Sequence, residues 1–273
     1  MHEEGFLINL QMQKVEHSIK IGSRCGYVEP NILHSCYLFE GKDLVGAYIS
    51  NVKKEYPKLA ALMSIANAEF LSDRVPKTLL ERADVMQHVK NGMTRAEAKK
   101  VGTIQYSTII GSIPPKPVMK RPYSSRSSVH AVTSAKTFIK AMLLSSKEIS
   151  LILKDLMPDH LEKQVNAVSG VPEKWMFGDL FTSSISNFNI SAPFHRDTRN
   201  IKQTLNAIYT HRQNSVGGCL YVPDYNACFE MPNGSLLLYP AWRNVHAVTP
   251  IKATHQGGYR NSLVFYALSG FLK

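Results

Sequence analysis

A histidine and an aspartate stand two positions apart, at His195 and Asp197, and a second histidine follows at His246. Side chains at positions i and i+2 of an extended strand point to the same side, so the first pair could bind one metal ion together. With His246 as a third ligand, two imidazoles and one carboxylate would occupy one side of the ion and leave the other side open. An isolated His-x-Asp pair is more often a surface histidine beside a solvated aspartate, so a metal site needs support from residues further along the chain.

An arginine and a serine after the second histidine suit a dicarboxylate ligand. Arg260 comes fourteen residues after His246 and precedes the β-branched and aromatic run of residues 263–268. If its side chain points inward, its planar guanidinium needs a carboxylate partner. Ser262, on the same face of a strand, can add a hydroxyl donor. The order of these residues predicts a small acid that Arg260 and Ser262 bind at one end and that chelates the metal ion at the other.

Two histidines and one carboxylate are the ligand set of non-haem Fe(II) oxygenases. Together with Arg260-x-Ser262, the set resembles the Fe(II)- and 2-oxoglutarate-dependent dioxygenases, and the extended motif His195-Arg196-Asp197-x-x-Asn200 resembles their TET/JBP branch. Residues 217–220 and 240–246 also fit this branch, and the resemblance covers roughly the last 90 residues closely. It implies a double-stranded β-helix and an enzyme that oxidises the methyl group of a pyrimidine base.

The resemblance assigns the metal ligands and the cosubstrate contacts. It implies a catalytic Fe(II) ion that is bound by His195, Asp197 and His246. It implies 2-oxoglutarate as the cosubstrate, with its distal carboxylate on Arg260 and Ser262, and O2 as the oxidant. In such enzymes the protein fixes the geometry, and the bound groups carry the oxidation chemistry.

Two further residues would face the substrate. Asn200 matches the asparagine that touches the flipped base in TET-type enzymes, and Tyr266 matches the aromatic residue that stacks on it. Without the resemblance, the first is interpreted as a turn residue and the second as a core aromatic. Animal TET enzymes carry a histidine where this chain has Leu268, which leaves the choice between 5-methylcytosine and thymine open. A TET-type histidine that contacts the cosubstrate has only weak substitutes here, Asn206 and Tyr209, and the cysteine-rich zinc-binding region of animal TET proteins is missing.

The net charge of +11 is concentrated in one stretch. Residues 90–140 hold ten basic residues against the single acidic residue Glu97, which leaves only +2 for the rest of the chain. Such clustering is typical of a protein that binds a polyanion, although a basic surface can also serve solubility alone. Lys120, Arg121 and Arg126 lie in an irregular, Ser-rich loop and are predicted to contact the nucleic-acid backbone. The alternative is a surface loop without a ligand.

These observations favour an enzyme that hydroxylates 5-methylcytosine in DNA to 5-hydroxymethylcytosine, with the methylated base flipped into the pocket. A thymine or RNA-base hydroxylase of the same family is the nearest alternative. A non-catalytic nucleic-acid-binding protein that keeps the fold is another, but the complete set of site residues argues against it. Oxidation of a protein or a metabolite would not require the clustered charge. No obligate protein partner is implied.

The sequence also predicts an intracellular, cytoplasmic protein without a membrane partner. Its apolar runs are far shorter than the roughly 20 residues of a membrane span. Residues 1–4 are acidic, unlike the basic start of a secretory signal. The cysteines form no Cys-x-x-Cys pair and are predicted to be reduced thiols rather than a disulfide or a zinc site. The resemblance to phage-encoded proteins points to a bacterial or phage-infected host cell. The four cysteines are Cys25, Cys36, Cys219 and Cys228.

The elements that must position the site indicate an α+β fold with a double-stranded β-helix (jelly-roll or cupin-like) core that helices buttress. Residues 1–100 are predicted to form an α-rich N-terminal extension packed on this core, and residues 101–273 the dioxygenase domain, together one compact unit. Apolar spacing and caps predict helices over 44–70 with a break at Pro57, from Pro76 to Gly92, and over 94–100, 135–156 and 158–168. Alternation and turn residues predict strands over 19–21, 35–39, 103–110, 181–190, 205–211, 219–222, 227–230, 236–239, 246–251 and 263–268.

Overall fold

The computed structural model describes residues 6–80, 85–116 and 120–272, so the acidic residues 1–4, which argue against a secretory signal, lie outside the described residues. The helices in this part of the chain are α1 (Val52–Glu55), α2 (Pro57–Leu71), α3 (Val85–Lys90), α4 (Arg95–Val101), α5 (Lys136–Leu156) and α6 (Pro158–Val168). The strands are β1 (Ile8–Gln11), β2 (Cys36–Glu40), β3 (Asp43–Ile49), β4 (Thr78–Leu79), β5 (Tyr106–Ile113), β6 (Ser125–Arg126), β7 (Ser183–Phe188), β8 (Ala192–His195), β9 (Asn206–Gln213), β10 (Ser215–Gly217), β11 (Leu220–Val222), β12 (Ala227–Phe229), β13 (Ser235–Tyr239), β14 (His246–Val248), β15 (Ile251–Ala253) and β16 (Tyr259–Tyr266).

The strands form a large sheet, a small sheet and a two-stranded ribbon. The large sheet has the order β1-β2-β3-β13-β9-β16-β7-β5-β4, with β6 paired to β5. The small sheet has the order β12-β11-β14-β8, and β10 pairs with β15. Among the described strands, β1 and β2 run parallel and the other pairs are antiparallel. Mixed helices with a large antiparallel sheet and a smaller second sheet confirm the predicted double-stranded β-helix class.

Helices cover the outer face of the large sheet. Helix α5 buries an apolar stripe that includes Phe138, Met142 and Leu153, and it packs against α2. Opposite them, the sheet contributes apolar side chains such as Leu263 and Phe265 to the same core. The apolar positions of α5 recur at helical spacing, which explains why the sequence predicts this helix and its buried face. The predicted buttressing of one sheet by helices is thus confirmed.

A second core fills the space between the two sheets. Ile208 and Leu237 of the large sheet and Leu220 and Phe229 of the small sheet belong to one buried cluster. At one end this space opens into a cavity where the candidate site residues lie. The four cysteines are buried and form no disulfide, as predicted. Within the described ranges, no helix is both long enough and apolar enough to cross a membrane.

Three element predictions are wrong. The strand β3 replaces the start of the helix predicted from residue 44. Its two faces are both buried, because Ala47 and Ile49 belong to the core under the helices and Tyr48 belongs to the core between the sheets, so the alternation that marks a strand is lost. Residues 19–21 form no strand, and Ile21 is 63% exposed because no neighbouring strand pairs with it. The helix predicted from Pro76 starts instead with strand β4, which pairs with β5, and α3 begins at Val85. Residues 81–84 of that predicted helix lie outside the described residues.

The large sheet runs across the predicted boundary near residue 100. Strand β3 pairs with β13, and the register places Tyr48 opposite Leu237. The N-terminal region therefore contributes strands to the sheet as well as helices. The division into an extension and a catalytic domain stays a prediction.

Two histidines outside the candidate site, the half-buried His130 and the buried His211, predict how stability depends on pH. Burial lowers the pKa of His130 and of His211, and His130 Nε2 accepts a hydrogen bond of 2.8 Å from the Gly111 amide. The unfolded chain therefore binds protons at a higher pH than the folded protein. The contribution of the two histidines to stability is fully present above the unfolded pKa of about 6.5 and is lost as the pH falls through their lower pKa in the folded protein. We expect a lower urea midpoint at pH 5.5 than at pH 7.5 for the metal-free protein. His130→Gln, whose Oε1 can accept the same bond, should show a smaller drop, and an equal drop would contradict the role of His130.

Candidate active site

Strand pairing brings the two candidate histidine ligands together. His195 ends β8 and His246 begins β14, and the two are direct partners across this antiparallel pair. Their ring centroids are 4.3 Å apart. Asp197 follows β8 by two residues and places Oδ1 3.5 Å from His195 Nε2. One ligand atom from each of the three side chains lies within 4.8 Å of the others, which is the spacing that a single metal ion requires.

Backbone carbonyls fix the orientation of both imidazoles. His195 Nδ1 lies 2.7 Å from the Pro193 carbonyl oxygen, and His246 Nδ1 lies 3.1 Å from the Asn244 carbonyl oxygen. A carbonyl only accepts, so each Nδ1 donates a proton, and Nε2 is the atom through which the neutral form of each ring would bind a cation. Burial, and next the neighbouring His195, lower the pKa of His246, which keeps this imidazole neutral. Both rings are therefore prepared to bind a cation through Nε2.

A buried arginine lies at the other end of the cavity. Arg260 is 2% exposed, and its Nε has no hydrogen-bond partner among the described residues. None of the described ion pairs includes it. Burial, together with nearby Arg212, lowers the pKa of Arg260 to about 10, so the side chain stays charged at neutral pH. A buried cation without an anion is costly, and a carboxylate from a ligand would offset that cost.

A glycine makes room for this arginine. Gly218 has a φ of +66°, and a Cβ at this position would lie 2.5 Å from Arg260 Cδ and 2.8 Å from Arg260 Nε. A side chain here would therefore displace the guanidinium. Gly218, in the short connection between β10 and β11, thus serves the cavity as well as the turn.

The metal-type cluster and the arginine share one cavity of about 480 Å³. A cavity of this size is typical of small-molecule sites. Both aliphatic and polar side chains form the walls, and Ser262 lies beside Arg260 on the same face of β16. The residues of the cavity include His195, Asp197, His246, Arg260, Ser262, Asn200, Tyr266, Leu268, Ile185, Ile208, Leu220, Val248 and Val264.

Residues 115–269 match the Tet_JBP family model, described as the oxygenase domain of the 2OGFeDO superfamily. The matched segment is more than half of the chain. The chain belongs to this family.

Among solved structures, NgTET1 in complex with 5mC DNA is similar to this chain, with a TM-score of 0.59 and 14% identity over 94% of this chain and 84% of that one. A 2OG-Fe(II) oxygenase family protein from Burkholderia pseudomallei gives a TM-score of 0.43 and 12% identity, over 81% and 84% of the two chains. At 14% identity, the similarity to NgTET1 is one of fold. No curated protein matches the chain by sequence.

The cavity of this Tet/JBP oxygenase fits the groups that the superfamily uses. Fe(II) requires a mixed histidine and carboxylate set with open positions, and the three clustered side chains provide one. 2-Oxoglutarate requires a cation for its distal carboxylate, and the unpaired guanidinium of Arg260 in the same cavity provides it. The predicted resemblance to the TET/JBP oxygenases is therefore confirmed at the level of the family and the fold.

The predicted substrate residues lie in the same cavity of the oxygenase. Asn200 and Tyr266 both line it, as does Leu268. Burial, and next the charge of Asp197, raise the pKa of Tyr266, so its phenol stays protonated. Asn200 is already hydrogen-bonded through Nδ2, which lies 2.7 Å from Asn206 Oδ1. The base-contacting roles of Asn200 and Tyr266 stay predictions.

The three residues predicted to contact the nucleic-acid backbone lie outside the cavity. Lys120, Arg121 and Arg126 are not among the described residues that line it. Arg121 donates to Ser125 Oγ at 3.0 Å and to the Pro114 carbonyl, and Arg126 donates to the Met176 carbonyl at 3.1 Å. Arg121 therefore stabilises its own loop, and Arg126 connects this loop to the segment at residue 176. Lys120 occupies an exposed turn with a φ of 54°. A contact of any of the three with nucleic acid stays a prediction.

Asn206 makes a contact in the site that the sequence does not predict. The resemblance suggests it only as a weak substitute for a histidine that contacts the cosubstrate, yet its Nδ2 donates to Asp197 Oδ2 at 2.9 Å. The usable signal is a polar residue immediately before the apolar run of residues 207–209 in strand β9. The backbone amide of Asp197 also donates to the Ala241 carbonyl at 3.0 Å, which ties the segment before His246 to the site.

Proposed function

We propose that this oxygenase hydroxylates the 5-methyl group of 5-methylcytosine in DNA to 5-hydroxymethylcytosine. The observation that carries the proposal is the joint presence, in one cavity, of a clustered His-Asp-His set and a buried arginine without an anion. His195, Asp197 and His246 would hold Fe(II), and Arg260 with Ser262 would hold the distal carboxylate of 2-oxoglutarate. When bound, these groups supply the oxidation of a C–H bond by O2, with 2-oxoglutarate converted to succinate and CO2.

The protein's own residues perform binding and orientation. The Nδ1 hydrogen bonds of both histidines keep their Nε2 atoms directed at one point. Arg260 holds the keto acid by one end, which presents its other end to that point. Aliphatic side chains such as Ile208 and Val264 make the wall apolar and limit water near the reacting atoms.

The choice of DNA as the substrate rests on three supports. The clustered positive charge of residues 90–140 suits a polyanion. The fold is similar to that of NgTET1, which is described in complex with 5mC DNA. The cavity lies between the sheets, so a base would have to leave the duplex stack to reach it, as base-modifying enzymes require.

One observation favours thymine as a second candidate. Leu268 lines the cavity where animal TET enzymes have a histidine, so the cytosine edge loses one polar partner. Thymine hydroxylation would use the same metal and cosubstrate residues. An RNA base would also use them.

Parallel substrates test the proposal. Protein with Fe(II), ascorbate and 2-oxoglutarate is offered a duplex with 5-methylcytosine, the same duplex with thymine only, and methylated RNA. We expect 5-hydroxymethylcytosine from the first, with one succinate formed per hydroxylated base, as measured by nucleoside and metabolite mass spectrometry. Omission of 2-oxoglutarate is the control. No product from any substrate, with intact DNA binding, would instead support a non-catalytic nucleic-acid-binding protein.

A further inference from the structure

Two hydrogen-bonded asparagines connect Asp197 to the cavity. Asn206, the first residue of β9, donates from Nδ2 to Asp197 Oδ2 at 2.9 Å. Its Oδ1 accepts a bond of 2.7 Å from Asn200 Nδ2, and that nitrogen lies 3.4 Å from Asp197 Oδ2. Both asparagines are buried, with exposed fractions of 2% for Asn206 and 6% for Asn200. Amide donors therefore occupy Oδ2 of Asp197, while Oδ1 lies on the side of His195.

The carboxylate fixes the orientation of both amides. An ionised carboxylate only accepts hydrogen bonds, so Asn206 must turn its NH2 group toward Asp197. Asn206 then presents its carbonyl oxygen to Asn200, which must turn its own NH2 group toward Asn206. A flip of either amide would bring two acceptors or two donors into contact. Because both hydrogens of Asn200 Nδ2 face these partners, Oδ1 is the atom that Asn200 can offer to a ligand in the cavity that it lines.

We propose that Asn206 is a positioning residue with two effects, an inference that rests on the proposed function. It holds Asp197 so that Oδ1, rather than both oxygens, is available to the metal ion. It also holds Asn200 as a hydrogen-bond acceptor toward the substrate base. Loss of an outer hydrogen-bond partner of a metal ligand typically weakens metal binding by about 10- to 100-fold.

An acceptor at Asn200 discriminates between the two candidate bases. In a pyrimidine the C4 substituent is adjacent to the C5 methyl group, so a methyl group directed at the metal site brings the C4 substituent near residues beside Asp197. That substituent is a donating amino group in 5-methylcytosine and an accepting oxygen in thymine. Asn200 Oδ1 can pair with the first and repels the second. The arrangement therefore favours 5-methylcytosine over thymine by about 5- to 150-fold.

Metal titration tests the first effect. Full-length wild type, Asn206→Ala and Asn261→Ala are titrated with Mn(II) by calorimetry. Asn261 is a matched control, since it is a buried strand asparagine that donates to Asn67 Oδ1 at 2.6 Å. We expect binding about 10- to 100-fold weaker for Asn206→Ala and unchanged for Asn261→Ala. Asn206→Ser, whose side chain is too short to reach both partners, replaces Asn206→Ala if that variant does not fold and should show the same loss.

The rate ratio on 5-methylcytosine and thymine in otherwise identical duplexes tests the second effect. We expect wild type to prefer 5-methylcytosine, and Asn200→Ala to reduce this preference while it binds Mn(II) nearly as well as wild type. A preference for thymine in wild type, or an unchanged ratio in Asn200→Ala, would overturn the acceptor role. Wild type that binds Mn(II) no better than Asp197→Ala would overturn the proposed function itself. Equal Mn(II) affinities of wild type and Asn206→Ala would overturn only the positioning role of Asn206.

Discussion

Asp197→Ala is expected to reduce hydroxylation by about 10³-fold or more, which corresponds to about 4 kcal/mol of lost transition-state stabilisation. The variant leaves the two imidazoles, whose Nδ1 atoms are held by backbone carbonyls, without the only carboxylate of the cluster. It also leaves the amide groups of Asn200 and Asn206 without their shared acceptor, Asp197 Oδ2. We therefore expect a second, smaller effect, a loss of about 1–3 kcal/mol in the free energy of unfolding.

Three measurements test the first effect, and urea unfolding measures the second. Nucleoside mass spectrometry gives the rate, Mn(II) titration gives the metal affinity, and a DNA-binding assay gives the affinity for the methylated duplex. The rate and the metal affinity should fall together, while DNA binding should stay close to that of wild type, because the carboxylate contributes no positive charge. Asp43→Ala, which removes an exposed carboxylate at the start of β3, is the matched control. Turnover at the wild-type rate in Asp197→Ala would mean that the metal assignment is wrong.

The sequence indicates the residue types of the site because His195, Asp197 and Arg260 lie in short motifs whose spacing has a direct geometric meaning. The position of His246 is different. It lies 49 residues after Asp197, and its contact with His195 depends on the register between β14 and β8. Register between distant strands is set by the whole buried face, not by local sequence. Only the resemblance to a known family links these residues before the structure is known.

Local patterns predict the elements best where one face is buried. Helix α5 has such a face and is predicted within one residue at its start. Strand β3 has apolar residues on both faces, because Ala47 and Ile49 pack under the helices and Tyr48 packs between the sheets, and the sequence assigns it to a helix. Burial on both faces removes the alternation that distinguishes a strand.

Charge patterns predict a kind of partner but not which side chains are available to it. Arg121 and Arg126 belong to the strongly basic stretch, and yet both donate to backbone carbonyls of neighbouring segments. The sequence cannot show these contacts, because the acceptors are backbone groups that any residue would carry. The same limit applies to Asn206, whose importance comes from the position of its amide beside Asp197 and not from a motif.

Arg260→Leu is expected to weaken 2-oxoglutarate binding by about 100-fold, because a charge-assisted contact to the distal carboxylate is worth roughly 3 kcal/mol. The same variant should stabilise the ligand-free protein. Arg260 is 2% exposed and pairs with none of the described carboxylates, so its replacement by an apolar side chain removes a buried charge without an anion. We expect a gain of about 1 kcal/mol in the free energy of unfolding.

A loss of 2-oxoglutarate affinity together with a gain in stability would distinguish a ligand-binding arginine from one that supports the fold. Arg260→Lys keeps the charge but loses the planar pair of donors, so its affinity for 2-oxoglutarate should be intermediate. Arg212→Leu is the matched control, since Arg212 faces Arg260 across β9 and β16 and donates to the Ser215 carbonyl. Binding is measured by calorimetry with Mn(II) present, and stability by urea unfolding without ligand. A less stable Arg260→Leu protein with unchanged affinity for 2-oxoglutarate would mean that Arg260 supports the fold and that the keto acid binds elsewhere.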